Sequence, residues 1–441
     1  MLVGRWVESV RRSAAKVFNL ADARDRARRL LPRTVFNYLD GGAGDEITLR
    51  ENRRAFEEVF FRPRAAAADV EVRLSRTVFG ADLSMPVVLA PVGGLRLFFP
   101  DGDRAAMRAA GAVGTAAILS TASGTPLEDV RAATSGPAWF QLYFRGGREG
   151  AETIVSHAQR AGFGALFVTL DVGAGGIQTE RLRREVDTLA RLRGEIAQDS
   201  AIPIGLNVRN AVVFAPQLVR RPRWTLGYLG DGVPREFASL NEDPGEQTRR
   251  RERTTLSADP GTKQSSTKPP TWEDMDWIRG VWKGPLIAKG LVTADDARRA
   301  LDHGADGILV SNHGGRQLDG GIATLRGLPE VRRAVGDSVP VLIDGGVRRG
   351  SDAVKAIALG ADAVVIGRAY AYGLAAGGEA GVLKVLDLFR SEMVRTMKAL
   401  GVRSLEEIDA SCIDTSRFFL AERLAAAERL VPEEREALTF P

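Results

Sequence analysis

The sequence predicts an α/β fold, a TIM-type (β/α)8 barrel with an N-terminal helical extension and a long insertion after its fourth strand. Two observations lead there. Between Gly284 and Gly373 four short apolar runs, Pro285–Gly290, Gly307–Gly315, Pro340–Gly346 and Ala363–Arg368, each end in a turn rich in glycine and polar side chains. The spacers within the first and last pairs of runs have helical spacing, and continuous apolar strands separated by helices form a parallel sheet covered on its faces. Four further runs lie upstream, which makes eight, the number that closes such a barrel.

Taken in order, residues 1–60 are expected to form the helical extension. Ala21–Glu58 is charge-rich with helical spacing, broken at Pro32 and at Asp40-Gly41-Gly42-Ala43-Gly44. The barrel is assigned to 61–390. Phe61–Leu83 alternates as short strands do around Phe79-Gly80-Ala81-Asp82, and Met85–Pro91, Ala117–Thr121, Ala138–Tyr143 and Leu166–Asp171 are the first four barrel strands. Residues 172–271 break the rhythm, far exceeding an ordinary strand-to-helix loop, and are read as an insertion on the catalytic face. Its end, about Gly245–Pro270, is polar and expected to be mobile. Helix starts are signalled by Thr293 three residues before Asp296, by Ser351 before Asp352, and by Pro329 after Gly327-Leu328; Gly304 and Gly360 signal helix ends. Residues 391–441 are expected to form a helical tail.

Composition narrows the function. The 441 residues, 44% of them apolar, can bury a large core. An excess of 61 basic over 56 acidic side chains, +5 in all, is weak evidence for a polyanionic partner. The run Arg249-Arg250-Arg251-Glu252-Arg253 is read as a solvated loop, so no nucleic acid is expected. Cys412 is the only cysteine, which excludes intrachain disulfides and thiolate clusters and fits a cytoplasmic setting; no metal is expected. The N-terminus meets charge too early for a signal peptide, and no apolar run reaches the roughly 18 residues of a membrane span.

The strand ends carry the chemistry. Lys289 and His313 end the fifth and sixth strands, while the Gly-rich ends of the seventh and eighth carry Arg348 and Arg368. In a barrel of this kind phosphate sits after the last two strands, so an amine and an imidazole beside a phosphate clamp point to a phosphorylated cofactor with acid–base chemistry next to it. The His313 imidazole can take a proton near neutral pH. A lone loop histidine is more often structural, but flanking Asn312, Gly314 and Arg316 favour catalysis. Arg316, on the same loop, has the planar fork that grips a carboxylate.

The strings Ser311-Asn312-His313-Gly314-Gly315-Arg316-Gln317-Leu318-Asp319 and Asp344-Gly345-Gly346-Val347-Arg348-Arg349-Gly350 resemble two signatures of the FMN-dependent 2-hydroxy-acid oxidases and dehydrogenases. That family includes glycolate oxidase, L-lactate dehydrogenase and mandelate dehydrogenase, and the resemblance runs from about Leu31 to Ile408. It implies FMN as cofactor and oxidation of an (S)-2-hydroxy acid to the 2-oxo acid. It further implies that His313 accepts the substrate proton, Asp171 stabilises the imidazolium, and Lys289 stabilises the reduced flavin. Tyr38, Tyr143 and Arg316 would bind substrate. Pro91, Val92, Gly93, Ser120, Gln141, Thr169, Ser311, Asp344, Gly345, Gly346, Arg348, Gly367 and Arg368 would line the cofactor site. A homotetramer is expected from the same resemblance, and the electron acceptor is left open.

The chain also departs from the family. A second carboxylate-binding arginine is expected soon after the fourth strand, where ungapped counting from Asp171 reaches Gln178. If the loop has about six extra residues, Arg183-Arg184-Glu185-Val186-Asp187 restores the pattern and Arg184 is the ligand, the reading preferred. Ala122 stands where some relatives carry tryptophan, which implies a roomy pocket and a substrate larger than glycolate. Arginine mixed with large apolar residues in the insertion is either a solvated flap or a surface for peripheral membrane contact. Two rivals remain. Pro269-Pro270-Thr271-Trp272-Glu273-Asp274 and Ile366-Gly367-Arg368-Ala369-Tyr370 also resemble the flavoprotein that oxidises the peptide-derived mycofactocin precursor, against which Arg316 speaks, and a flavin-binding protein without catalysis is the other.

Overall fold

The computed structural model describes residues 14, 16–66, 71–144, 146–172, 180–181, 215–230 and 269–419. Eight parallel strands close a barrel: β1 Val87–Leu89, β2 Ala117–Ser120, β3 Ala138–Leu142, β4 Leu166–Thr169, β5 Leu286–Leu291, β6 Gly307–Val310, β7 Val341–Ile343 and β8 Ala363–Ile366. Each pairs with the next in chain order, and β8 pairs with β1 through Val364 opposite Val87. Their residues are buried nearly throughout, as a sheet covered by helices requires.

The N-terminal mouth is plugged by a hairpin, Arg76–Val78 with Ala81–Leu83. At its tip the Phe79 ring meets Trp139 of β3 and Phe167 of β4 edge-on, with centroids 5.7 and 6.0 Å apart. Gly307 opens β6 beside that ring: a Cβ there would stand 2.5 Å from Phe79 Cε1, so the plug needs a glycine. With this end filled by aromatics, the C-terminal strand ends are left for chemistry.

The extension consists of helices Leu20–Leu30, Arg33–Asp40 and Ile47–Glu57. The first is capped by Asn19, whose Oδ1 accepts from Asp22 N at 2.9 Å, and packs on the helix Arg368–Leu400 that follows β8. The turn after Asp40 brings the second and third over the catalytic face, where Ala43 N donates to Gly315 O at 2.8 Å.

Several sequence-based boundaries shift. The helix Arg368–Leu400 crosses the expected barrel–tail boundary at 390, and Phe60–Phe61 crosses that at 60 by pairing with Ile413–Asp414, so extension and tail share a small sheet. The helix expected to start at Pro329 spans Thr324–Val335 with Pro329 inside, because Thr324 is anchored by its Oγ1 to Asp344 O at 2.6 Å and its N to Asn52 Oδ1 at 3.2 Å. The helix expected after Ser351 starts at Gly350, where the Asp352 carboxylate accepts from the amides of Arg348 and Arg349 at 2.8 and 3.1 Å. Thr293 caps its helix as expected. Of the insertion, helix Pro222–Gly230 is described, held by Trp224 Nε1 on Leu97 O at 2.8 Å and by Gln217 on Thr34. Almost all of Gly245–Pro270, and all of Arg249–Arg253, lies outside the described residues.

Candidate active site

The site begins with a kink. Between β5 and β6 the register slips at Gly290, which has φ +105, so Lys289 pairs with Leu309 and Leu291 with Val310. A Cβ at Gly290 would lie 2.6 Å from Asp171 Cβ, and this close approach packs the ends of β4 and β5 together. Lys289, 3% exposed, donates from Nζ to Ser311 Oγ at 3.0 Å and stands 3.9 Å from Asp344 Oδ2.

Beyond β6 the chain turns sharply, and His313 is held at φ +57, a left-handed conformation uncommon for a residue with a side chain. Its backbone N donates to Ser311 Oγ at 3.1 Å. Nδ1 lies 3.3 Å from Asp171 Oδ1, and Nε2 lies 3.1 Å from Tyr143 Oη. Burial pushes the Asp171 carboxyl up, but the charges of Lys289 and His313 outweigh it and hold Asp171 below the ordinary range. An ionised Asp171 only accepts, which assigns the ring hydrogen to Nδ1 and leaves the Nε2 lone pair facing Tyr143. Burial raises the neighbouring Asp344, against the pull of Lys289.

Three arginines gather behind this loop without carboxylate partners among the described residues. Arg368 donates to Leu39 O, Gly41 O and Gly314 O at 3.2, 2.7 and 2.9 Å. Arg316 Nη1 donates to Tyr38 O at 2.7 Å and Gly41 O at 3.2 Å, and its guanidinium lies 4.9 Å from the Tyr38 ring centroid. Burial lowers all three, and Arg368, further lowered by the charges of Arg316 and Arg348, is brought down to about 9. Such crowding of cations is relieved by an anion. Gly345 and Gly346 turn beside Arg348 with φ +84 and +90, and a Cβ on Gly346 would strike Asn52 O at 2.1 Å. A Cβ on Gly367 would meet nothing nearer than Ala90 at 3.7 Å, so protein packing does not demand that glycine.

These features fit FMN. The arginine cluster and the amides at Gly345, Gly346 and Gly367 suit a phosphate at the start of helix Arg368–Leu400. The buried Asp344 Oδ1 has no hydrogen-bond partner among the described residues, and a polyol chain would supply one. Across the barrel Ser120 Oγ donates to Gln141 Oε1 at 3.0 Å, and Gln141 Nε2 donates to Thr169 Oγ1 at 2.7 Å, leaving the Thr169 hydrogen free to donate. Pro91, Val92 and Gly93 end β1, where Gly93 O accepts from Tyr38 Oη at 3.4 Å.

The residues singled out from the sequence therefore converge on one mouth of the barrel, except Arg184 and Gln178, which lie outside the described residues. Nearby Arg181 is committed elsewhere: it donates to Asp40 Oδ2 at 2.9 Å and Glu46 Oε2 at 2.5 Å. Sequence reasoning overlooked the supports. Asp40 also accepts from Arg24 and from Tyr372 Oη, and Asn52 and Asn312 exchange two hydrogen bonds of 2.9 Å. Asp40 was legible only as part of a helix break; its partners lie up to 332 residues away.

Comparison with known proteins gives concordant results. A family model described as FMN-dependent dehydrogenase matches residues 27–415. The pre-mycofactocin synthase of Mycobacterium tuberculosis is 39% identical over 394 residues, 89% of this chain and 93% of that protein. The L-lactate dehydrogenase of Caulobacter sp. (strain K31) is 40% identical over 398 residues, 90% and 98% of the two chains. The crystal structure of a monotopic membrane protein, (S)-mandelate dehydrogenase, superimposes with a TM-score of 0.77 at 34% identity, covering 91% of this chain and all of that one.

Proposed function

The chain belongs to the family of FMN-dependent dehydrogenases, and from that premise we propose that it oxidises an (S)-2-hydroxy acid to the 2-oxo acid. The observation carrying the proposal is the His313 imidazole set between Asp171 and Tyr143, next to Arg316, a cation with no carboxylate of its own among the described residues. Bound FMN supplies a two-electron acceptor. The substrate gives up two electrons and two protons: His313 Nε2 takes one proton, with Asp171 Oδ1, facing Nδ1, stabilising the charge that results, and the electron pair goes together with the other proton to bound FMN. Arg316 and Tyr38 receive the substrate carboxylate, with Arg184, which follows β4 in the sequence, as a second cation. The Tyr143 hydroxyl, close to Nε2, orients the reacting hydroxyl. Lys289 Nζ is a fixed positive charge at the end of β5, suited to stabilising a reduced, anionic flavin.

Ala122, beside Gly93, offers only a methyl group to this end of the site, which favours lactate, mandelate or longer acids over glycolate. Similarity to pre-mycofactocin synthase favours a second reading, in which the mycofactocin precursor is the substrate. Anaerobic mixing with small hydroxy acids separates the two: flavin bleaching supports the first, and persistent bands with every acid tried support the second or a non-catalytic flavoprotein.

The proposal includes peripheral contact with an anionic membrane from the cytoplasmic side. No acidic residue occurs between Ala215 and Gly230, and Val219, Leu226 and Leu229 are 76%, 64% and 56% exposed. Arg29, Arg220, Arg221 and Arg223 rim a cleft of about 210 Å³ floored by Phe98 and Trp224. A basic rim with exposed apolar side chains suits such a surface. No described helix is long and apolar enough to cross a membrane. Salt-sensitive co-sedimentation with phosphatidylglycerol vesicles is expected, and its absence would remove this part. A homo-oligomer, also included, is checked by light scattering of the holoenzyme.

A further inference from the structure

Asp103 stands apart from the chemistry described so far. It occupies the first turn of helix Gly102–Ala112 and is 2% exposed. Its Oδ2 accepts from Thr125 Oγ1 at 2.9 Å, whereas the equally buried Oδ1 has no partner among the described residues. A small cavity of about 10 Å³ adjoins it, lined by Asp103, Ser120 and Tyr370 together with apolar side chains such as Val92 and Met107. That is about the space one water needs. Ser120 Oγ accepts from Ala122 N and donates to Gln141, and Tyr370 Oη donates to Ala90 O at 2.9 Å, so both keep a lone pair. A water could give one hydrogen to Asp103 Oδ1 and the other to Ser120 or Tyr370.

The carboxylate is tied to the loop after β2, and that loop reaches both candidate substrate tyrosines. Thr125 N donates to Ser123 Oγ at 3.1 Å, and Arg96 Nη1 grips Gly124 O at 2.9 Å. Thr121 Oγ1 donates to Gln141 O at 2.5 Å and accepts from Tyr143 N at 3.0 Å. Ala122 O accepts from Gly94 N at 3.1 Å, and the Ala122 methyl fills the space where a Gly93 Cβ would stand, at 2.9 Å; Gly93 O in turn accepts from Tyr38. One loop thereby sets Tyr38 on one side and Tyr143 on the other.

We propose that Asp103, with one bound water, is a positioning residue that holds the loop Thr121–Thr125 in the conformation seating Tyr38 and Tyr143. The inference rests on the substrate-binding roles proposed for those tyrosines. Burial pushes the Asp103 carboxyl up to about 6, against the pull of Thr125, Ser123 and the Arg96 charge, with Tyr370 across the cavity as the other titratable group facing it. Near neutral pH it therefore exchanges a proton, and gaining one turns an acceptor at the cavity into a donor.

The test is the dissociation constant of oxalate, an unreactive carboxylate, read from perturbation of the flavin spectrum in wild-type and Asp103→Asn holoenzyme. At pH 8 the variant should bind roughly 3- to 10-fold more weakly, the worth of one hydrogen bond. At pH 5, where the wild-type carboxyl is neutral too, the ratio should fall to about one. Groups that wild type and variant share cancel in the ratio. A ratio that is the same at both pH values, or unity at both, overturns the inference. If Asp103→Asn yields no holoenzyme, Thr125→Val takes its place: weaker oxalate binding supports the inference and wild-type binding overturns it. An infrared band of a protonated carboxyl, titrating near pH 6 in the wild type and lost in Asp103→Asn, checks the buried proton independently of turnover. Oxalate that leaves the wild-type flavin unperturbed overturns the inference together with the functional reading, whereas oxalate binding without hydroxy-acid oxidation sinks only the latter.

Discussion

Replacing Asp40 by asparagine should destabilise the protein by an amount that shrinks as the pH falls. The Asp40 carboxylate, 5% exposed, accepts from Arg24 at 2.6 and 2.7 Å, from Arg181 at 2.9 Å and from Tyr372 Oη at 2.6 Å. Burial alone would raise its pKa, but these donors win and hold it at about 2, against an ordinary value of 3.8. That gap, at about 1.4 kcal/mol per pH unit, corresponds to about 2.5 kcal/mol. Arg24 and Arg181 are 44% and 39% exposed, and water screening reduces the expected net effect to about 1–2 kcal/mol. The sign follows from which state holds the proton more tightly. The unfolded chain does, so the contribution is complete above about pH 5, roughly half gone by pH 3 and lost below the folded pKa of about 2. Urea unfolding of wild-type and Asp40→Asn holoenzyme at pH 7 and pH 3 measures the difference, and carboxylates common to both cancel. A stability gap of equal size at the two pH values would refute the reasoning. Because Leu39 and Gly41, on either side of Asp40, present their carbonyls to Arg368 and Arg316, the variant should also bind substrate more weakly.

Other outcomes follow from the site. His313→Ala should keep the flavin bands of the purified protein but slow anaerobic flavin reduction by about 10²- to 10⁴-fold, the usual worth of a general base. Arg316→Lys keeps the charge and loses the fork, so KM for the hydroxy acid should rise about 10- to 150-fold, the equivalent of one charge-assisted hydrogen bond, with a smaller change in kcat. Gly290→Ala should lower Tm through backbone strain of about 1–3 kcal/mol and also slow reduction, since its Cβ displaces Asp171. Gly320→Ala, at φ +76 with no atom within 4 Å of the new Cβ, is the control: it should cost stability and leave reduction unchanged.

How much of this was legible in the sequence depends on the reach of each interaction. The eight strands could be read because each is a continuous apolar run ending in a polar turn, and the barrel then obliges Lys289, His313, Arg348 and Arg368 to share one mouth. Helix starts were legible where the cap is local, as at Thr293, and missed at Thr324, whose anchors are Asn52 and Asp344. The partners of Asp40 and of Asp103 were unreadable for the same reason. Nothing within a few residues of Asp103 shows that it is buried against Thr125, or that it lines a small cavity.

The central claim, a flavin reduced by a hydroxy acid through His313, is tested most directly by the visible spectrum of the purified holoenzyme during anaerobic addition of L-lactate, L-mandelate and longer 2-hydroxy acids. Bleaching of the flavin bands by at least one acid, slowed in His313→Ala, is the predicted result. Bands that persist with every acid, or bleaching equally fast in His313→Ala, would contradict it.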